Sequence, residues 1–278
     1  MSSIVEEHGS GRVGGADAPL LSLRGISKSF GPVQALRDVN LDVVAGKVTA
    51  LCGDNGAGKT VLIKIIAGIW EQSEGELFWN GEQLHIHSPR EADRLGISTV
   101  YQDLALCDNL DIVQNMFLGH ENLRYRLLDE ISMETYAKKT LNDLSVTTVK
   151  SVRQSVGSLS GGQRQAVAVA RSVMRDAKLI IMDEPTAALG VSQTAQVLEL
   201  VRTLAARGIA VLLISHNLND VMSVADQVAV LQLGHMVSSG DIKDYDSQAI
   251  VQLMTTGQRQ RVVESQPQPL NIDISSEA

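Results

Sequence analysis

The sequence predicts an α/β protein with a parallel sheet at its core, an antiparallel β-subdomain ahead of that sheet and a helical subdomain inserted within it. Three observations lead there. Val48 to Cys52, Leu179 to Met182 and Ile209 to Ile214 are short, continuous apolar runs rich in β-branched residues, as in strands buried on both faces. Each leads into a polar loop. Ahead of and around the first run, Leu21 to Ile26 and Ala35 to Val44 read as strands, and Glu76 to Trp79 and Glu82 to His85 flank Asn80-Gly81, the pair favoured by a two-residue type I′ hairpin turn. From about residue 103 to 176, apolar residues recur at helical spacing, first Leu110, Val113 and Phe117, then Val167, Ala170 and Met174.

Along the chain, residues 1–18 are rich in Gly, Ser and acids without periodicity, and residues 258–278 are rich in Gln, so both are expected to be flexible tails around one domain at 19–257. The 278 residues are 44% apolar and 20% charged, enough for a substantial core, and no internal repeat is apparent. Acids outnumber bases by 32 to 24, a net charge of −8, which argues against nucleic acid as the main partner. No apolar run approaches the roughly 20 residues that cross a bilayer, and the first twenty residues lack the pattern of a secretory signal. Cys52 and Cys107 provide neither a disulfide framework nor metal-ligand spacing, which points to a reducing cytoplasm.

The chemistry gathers at the ends of the apolar runs. Gly53-Asp54-Asn55-Gly56-Ala57-Gly58-Lys59-Thr60 fits G-x-x-x-x-G-K-[ST], placed between a strand and the helical pattern Val61 to Ala67, with Gly68 at its C-terminal end. In such a P-loop the glycines let backbone N–H groups converge on phosphate oxygens, Lys59 reaches the β and γ phosphates, and the Thr60 hydroxyl binds Mg²⁺. Leu179 to Met182 deliver two carboxylates, Asp183 and Glu184, to the end of a strand, where open α/β sheets bind ligands. Asp183 suits the Mg²⁺ shell, and Glu184 the deprotonation of a water attacking the γ-phosphate. Leu159-Ser160-Gly161-Gly162-Gln163 precedes a helix over Arg164 to Met174, with Ser160 at or just before its N-cap. This second phosphate-seeking helix end lies on the helical subdomain. A symmetric pair of chains would let each such end face the other chain's P-loop.

Together with His216 in Ile214-Ser215-His216, these motifs resemble the nucleotide-binding subunit of an ABC transporter over about residues 20 to 257. The resemblance implies ATP and Mg²⁺ as cofactors and further roles for matching residues. Phe30 is similar to the aromatic residue stacked on adenine, Gln102 to the glutamine that joins the metal site, senses the γ-phosphate and links to the membrane subunits, and His216 to the switch histidine at the γ-phosphate. Read singly, Phe30 also fits a strand-end core residue, Gln102 a solvated loop amide, and His216 a hydrogen-bonded strand-end histidine. Gly190 stands where most of the family has aspartate. The stretches Gly96 to Leu104, Asn115 to Gly119 and Glu184 to Gly190 resemble bacterial monosaccharide importers of the ribose, xylose and fructose group, in particular the shorter fructose-type subunits with one ATPase half.

The expected function is therefore an ATPase peripheral to the cytoplasmic face of the cell membrane, paired with a second ATPase subunit and driving separate permease subunits, with a sugar-binding protein as an indirect partner. The alternatives are the ATPase of an exporter or lipid transporter, or a soluble ABC ATPase with no membrane partner. Part of the apolar stripe of Leu106, Leu110, Val113 and Phe117 is expected to form the groove that receives a short permease helix, the alternative being that the whole stripe packs on the helical subdomain.

Overall fold

The computed structural model describes residues 18–146, 148–187 and 189–258, so the two expected tails lie outside it, apart from residues 18 and 258. β1 (Pro19–Phe30) and β2 (Val33–Val44) pair antiparallel, then β3 (Val48–Cys52) enters the core buried along its whole length. The P-loop follows, and α1 (Lys59–Ile66) rises from it, with Gly68 just past its end at φ +68°. β4 (Glu74–Trp79) and β5 (Glu82–Leu84) form the expected hairpin. Asn80 (φ +52°) and Gly81 (φ +82°) both take the left-handed backbone that a type I′ turn needs. β4 also pairs with β1, so the antiparallel sheet runs β2-β1-β4-β5.

α2 (Pro89–Leu95), with proline at its start and Gly96 at its end, leads into β6 (Ile97–Val100). The inserted segment then holds α3 (Ile112–Phe117), a small hairpin of β7 (Leu123–Arg124) and β8 (Leu127–Leu128), α4 (Glu130–Asp143) and α5 (Gly161–Met174). Helix α3 is closed by a full capping box between Asp111 and Gln114, so Leu110 precedes the helix rather than belonging to it. The chain returns through β9 (Leu179–Asp183), α6 (Val191–Ala206), β10 (Ala210–Ile214), α7 (Leu218–Val224), β11 (Gln227–Gln232), β12 (His235–Asp241) and α8 (Ser247–Thr256).

The core sheet has the order β12-β11-β3-β10-β9-β6, parallel except for β12. The three apolar runs are its centre. Alternation divides the side chains of β9 and β10 between two cores. Leu179, Ile181, Leu212 and Ile214 pack with α1 and the antiparallel sheet, while Ile180, Met182, Val211 and Leu213 pack with the helical subdomain and α6. Burying each such side chain contributes roughly 1.5–3 kcal/mol, enough to hold unfavourable polar groups at the strand ends.

The expectation for the apolar stripe is narrowed. Val113 and Phe117 face inward and are buried in the helical-subdomain core, so this half of the apolar stripe offers no outer surface. Leu106 is only partly covered, packed against the same core.

Candidate functional site

The sheet lines up the motifs that the sequence scatters. Ile214 of β10 is paired with Leu51 of β3 on one side and Asp183 of β9 on the other, and Val100 of β6 is paired with Met182. The P-loop, Asp183-Glu184, Ser215-His216 and Tyr101-Gln102 therefore leave one edge of the sheet from four adjacent strands. Strand alternation also puts Asp183 on the same sheet face as Leu179 and Ile181, which is the face that carries α1 and Thr60.

The P-loop is shaped by close approach. A Cβ on Gly53 would collide with the carbonyl oxygen of Leu231, and one on Gly58, at φ +105°, would lie 2.7 Å from Leu36 Cδ2 and 3.0 Å from the Ala35 oxygen. No side chain caps the start of α1, which leaves its first N–H groups for an external acceptor. Lys59 Nζ donates to the carbonyls of Gly53 at 2.7 Å and Asp54 at 3.0 Å. A cavity of about 510 Å³ opens over this loop, walled by residues 55–61 and by Val33 to Ala35 and Arg37 of β2. Phe30 stands at its rim, paired with Val33 across the β1–β2 turn. It is 41% exposed and meets Trp70 edge-on at 4.9 Å, so the core reading of this residue fails.

Glu184 and His216 come together: Glu184 Oε1 lies 2.8 Å from His216 Nδ1. The Glu184 backbone, at φ +50°, donates its N–H to the Ile214 carbonyl at 2.9 Å, and Thr186 Oγ1 donates to Asp220 Oδ2 at 2.6 Å, so the turn after β9 is held from two sides. Gln102 is exposed two residues past the end of β6, the strand that pairs with β9. The Asp183 carboxyl is pushed above its ordinary pKa by burial, then by Glu184, with Lys59 pulling it back. Burial likewise lifts the Cys52 thiol, at the end of β3, to about 12.

A stability prediction follows from Asp183. Because folding raises its pKa above the ordinary 3.8, the stability contributed by the protonated form is complete below pH 3.8 and is lost as pH rises through the raised value. At neutral pH the carboxylate is a net cost to the nucleotide-free, metal-free fold. Asp183→Asn should raise the thermal midpoint of that form at pH 7 and leave it nearly unchanged at pH 3.5; a lower midpoint at pH 7 would refute the argument.

Ser160 caps α5 and forms a capping box with Gln163, at 2.9 Å from the Ser160 N–H and 3.3 Å to its hydroxyl. Gly161 and Gly162 have a packing reason of their own. A Cβ on Gly161 would lie 2.6 Å from Leu189 Cδ2, and one on Gly162 would lie 3.3 Å from Gln193 Cβ. These residues do not line the cavity over the P-loop. At Gly190, by contrast, a Cβ would meet nothing within 4 Å, so packing does not demand glycine there.

The sequence reading missed the device that holds the segment after Gln102. Asn115, fully buried, donates to the carbonyls of Cys107, Leu110 and Asp111 and accepts from the Cys107 N–H. From α5, Arg171 donates to the carbonyls of Leu104 and Ala105, and the Asp108 carbonyl accepts from Ser155 and Gly157, just ahead of the Ser160 motif. An amide inside an apolar helical stripe was the one available signal.

A profile of the family described as ABC transporter matches residues 36–187. A fructose import ATP-binding protein of Rhizobium meliloti is 43% identical, over 86% of this chain and 95% of that protein. A xylose/arabinose import ATP-binding protein of Sulfolobus acidocaldarius is 44% identical, over 85% and 94%. A ribose import ATP-binding protein of Caldanaerobacter subterraneus is 36% identical over 85% of this chain but only 47% of its own length. Among solved structures, a nucleotide-free ATP-binding cassette from an ABC transporter superposes with a TM-score of 0.75 at 28% identity, over 85% of this chain and 98% of that one.

Proposed function

The chain belongs to the ABC transporter family as an ATP-binding, ATP-hydrolysing subunit, and from that premise we propose that it energises import of a monosaccharide through separate permease subunits. The observation that carries the ATPase part is the convergence of the P-loop, Asp183, the Glu184–His216 pair and Gln102 at one sheet edge. The sugar part is supported by the names of relatives matched over nearly their whole length, for fructose and for xylose/arabinose import. Among the described residues no helix is long and apolar enough to cross a membrane, which fits a peripheral subunit. Uptake of labelled fructose, ribose and xylose into vesicles carrying the co-expressed permease, with and without internal ATP, tests the proposal; no ATP-dependent uptake of any monosaccharide overturns it.

In the proposed site the first turn of α1 and Lys59 bind the phosphates, Thr60 and Asp183 hold Mg²⁺ with Gln102, Glu184 accepts the proton of the attacking water, and His216 orients Glu184. The residues fit this ion. The Asp183 carboxyl stands on the sheet face that carries Thr60 at the start of α1, and Mg²⁺ beside phosphates needs only one or two protein oxygens. When bound, Mg²⁺ neutralises charge developing on the β and γ phosphates. The Ser160 to Gln163 end of α5 serves the nucleotide of a second ATPase subunit, since it stands apart from the cavity of its own P-loop. A sugar-binding protein presents the substrate to the permease.

Phe30 stacks on the base. Its ring is exposed at the cavity rim, and Phe30→Ala should weaken nucleotide binding by about 1 kcal/mol, roughly fivefold. The loss should be equal for ATP and ADP by calorimetry, because the ring is remote from the γ-phosphate. A loss confined to ATP would place Phe30 elsewhere in the site.

A further inference from the structure

Trp70 is a second aromatic side chain at the base end of the nucleotide site, and none of the motifs accounts for it. It lies just past the end of α1, where the N–H groups of Ile69 and Trp70 both donate to the Lys64 carbonyl, at 2.8 and 3.1 Å. Its ring is half-buried against the core shared by α1 and the antiparallel sheet, meets Phe30 edge-on, and has Lys64 Nζ 4.4 Å from its centre. The chain just beyond it is tied to the end of β1. The Ser73 N–H donates to the Ser27 carbonyl at 2.8 Å, and the Ser29 N–H to Ser73 Oγ at 3.1 Å. Lys28 Nζ donates to the Glu71 carbonyl and lies 5.2 Å from the centre of the Phe30 ring.

We infer that Trp70 is a positioning residue for Phe30, the fixed wall that holds the Phe30 ring ready for the base of the nucleotide; the inference rests on the reading of Phe30 as the base-stacking residue. Phe30 ends β1 at the turn into β2, with its ring open to solvent at the cavity rim. A ring this open has side-chain freedom to lose when a base lands on it, and a neighbour that already restricts it removes part of that cost. The edge-on contact supplies the restriction, because it brings the positive edge of one ring to the negative face of the other. Trp70 is not the stacking surface itself. One side of its ring faces the Lys64 ammonium and its body packs on the core, whereas Phe30 is exposed.

The placement also ties the two ends of the nucleotide together. In the proposed site the first N–H groups of α1 and Lys59 serve the phosphates, and the far end of the same helix sets Trp70 through the Lys64 carbonyl. One helix of eight residues therefore fixes the distance between the phosphate cradle and the wall behind Phe30.

The experiment compares the full chain with Phe30→Ala, Trp70→Leu, Trp70→Phe and the double change Phe30→Ala with Trp70→Leu. Leucine fills the core contact without a ring, so it isolates the aromatic contact, and phenylalanine restores a ring; a thermal melt checks each fold, and Trp70→Met, equally ringless, replaces Trp70→Leu if its melt falls. Affinities for ATP and ADP are measured by calorimetry, and inorganic triphosphate, which has no base, is measured as a competitor. Trp70→Leu should weaken ATP and ADP alike by about threefold, less than the loss of Phe30 itself, and Trp70→Phe should recover most of it. In turnover the loss should fall on KM rather than on kcat. Inorganic triphosphate should bind equally to every variant, and in the Phe30→Ala background Trp70→Leu should cost nothing further. If Phe30→Ala binds ATP as the unaltered protein does, the base-stacking reading fails. If Phe30→Ala weakens binding but Trp70→Leu does not, or if the two losses add in full, Trp70 does not act through Phe30 and the inference is overturned. An equal loss for inorganic triphosphate would overturn it too, by placing the effect of Trp70 at the phosphate end of α1.

Discussion

Glu184→Gln is expected to lower steady-state ATP hydrolysis by about 10²-fold or more while leaving ATP binding intact. The carboxylate is held in place by groups that the substitution does not disturb. Its backbone is pinned by the N–H bond to the Ile214 carbonyl and by its neighbour Thr186 bonded to Asp220. Its Oε1 lies 2.8 Å from His216 Nδ1, and a glutamine oxygen can occupy the same position and accept from the same ring nitrogen. What the amide cannot do is take a proton from water. Asp183, Lys59 and the P-loop remain, so ATP should accumulate bound, and with it the paired form of the protein. Turnover by phosphate release, together with ATP affinity and sedimentation in the presence of ATP, checks all three expectations. Near-normal turnover would sink the assignment of Glu184 as base. A drop in ATP affinity matching the drop in turnover would show that the residue acts in binding.

Much of this site is legible in the sequence because it is written in local motifs. The four apolar residues before Asp183 define a buried strand, and the parity of that strand fixes the sheet face on which Asp183 stands. Asn80-Gly81 sets its turn, and Asp111 with Gln114 sets the start of α3 by the same kind of short-range chemistry. Contacts that need register are not legible. Glu184 and His216 are 32 residues apart, and only the pairing of β9 with β10 brings them to 2.8 Å. The sheet itself was underestimated. β6 has four residues, and β11, although mostly buried, is too short a run to be told from a helix segment by periodicity. The inward turn of Val113 and Phe117 has the same origin, since a helical stripe shows which residues share a face but not what covers that face. Arg171 reads as a solvated helix cation until the fold places the Ala105 carbonyl, 66 residues earlier, against it.

Lys59→Ala is expected to weaken ATP binding itself, by about 10- to 100-fold, the loss that follows when hydrogen bonds to a charged group worth about 1.5–3 kcal/mol are removed. The ammonium is bonded to the carbonyls of Gly53 and Asp54, neutral acceptors that do not cancel its charge, so in the proposed site its full charge is available to the β and γ phosphates. The nearby carboxyl of Asp183 feels that charge already, as the influence that lowers a pKa otherwise raised by burial and by Glu184. Removing Lys59 should therefore have two effects at one site, a loss of phosphate affinity and a further rise in the Asp183 pKa. The second effect makes the metal-dependent part of ATP binding fall off at higher pH than in the unaltered protein, since a protonated Asp183 offers no charge to a cation. The fold should survive, because of the two carbonyls freed by the substitution one belongs to exposed Asp54 and only that of Gly53 sits on a buried residue. Calorimetric titration with ATP in the presence and absence of Mg²⁺, repeated across pH, measures both effects, and a thermal melt of the nucleotide-free form checks the fold. An unchanged ATP affinity with an intact melt would remove Lys59 from the phosphate site, whereas weakened binding with no shift in the pH dependence would leave Lys59 on the phosphates but separate it electrostatically from Asp183.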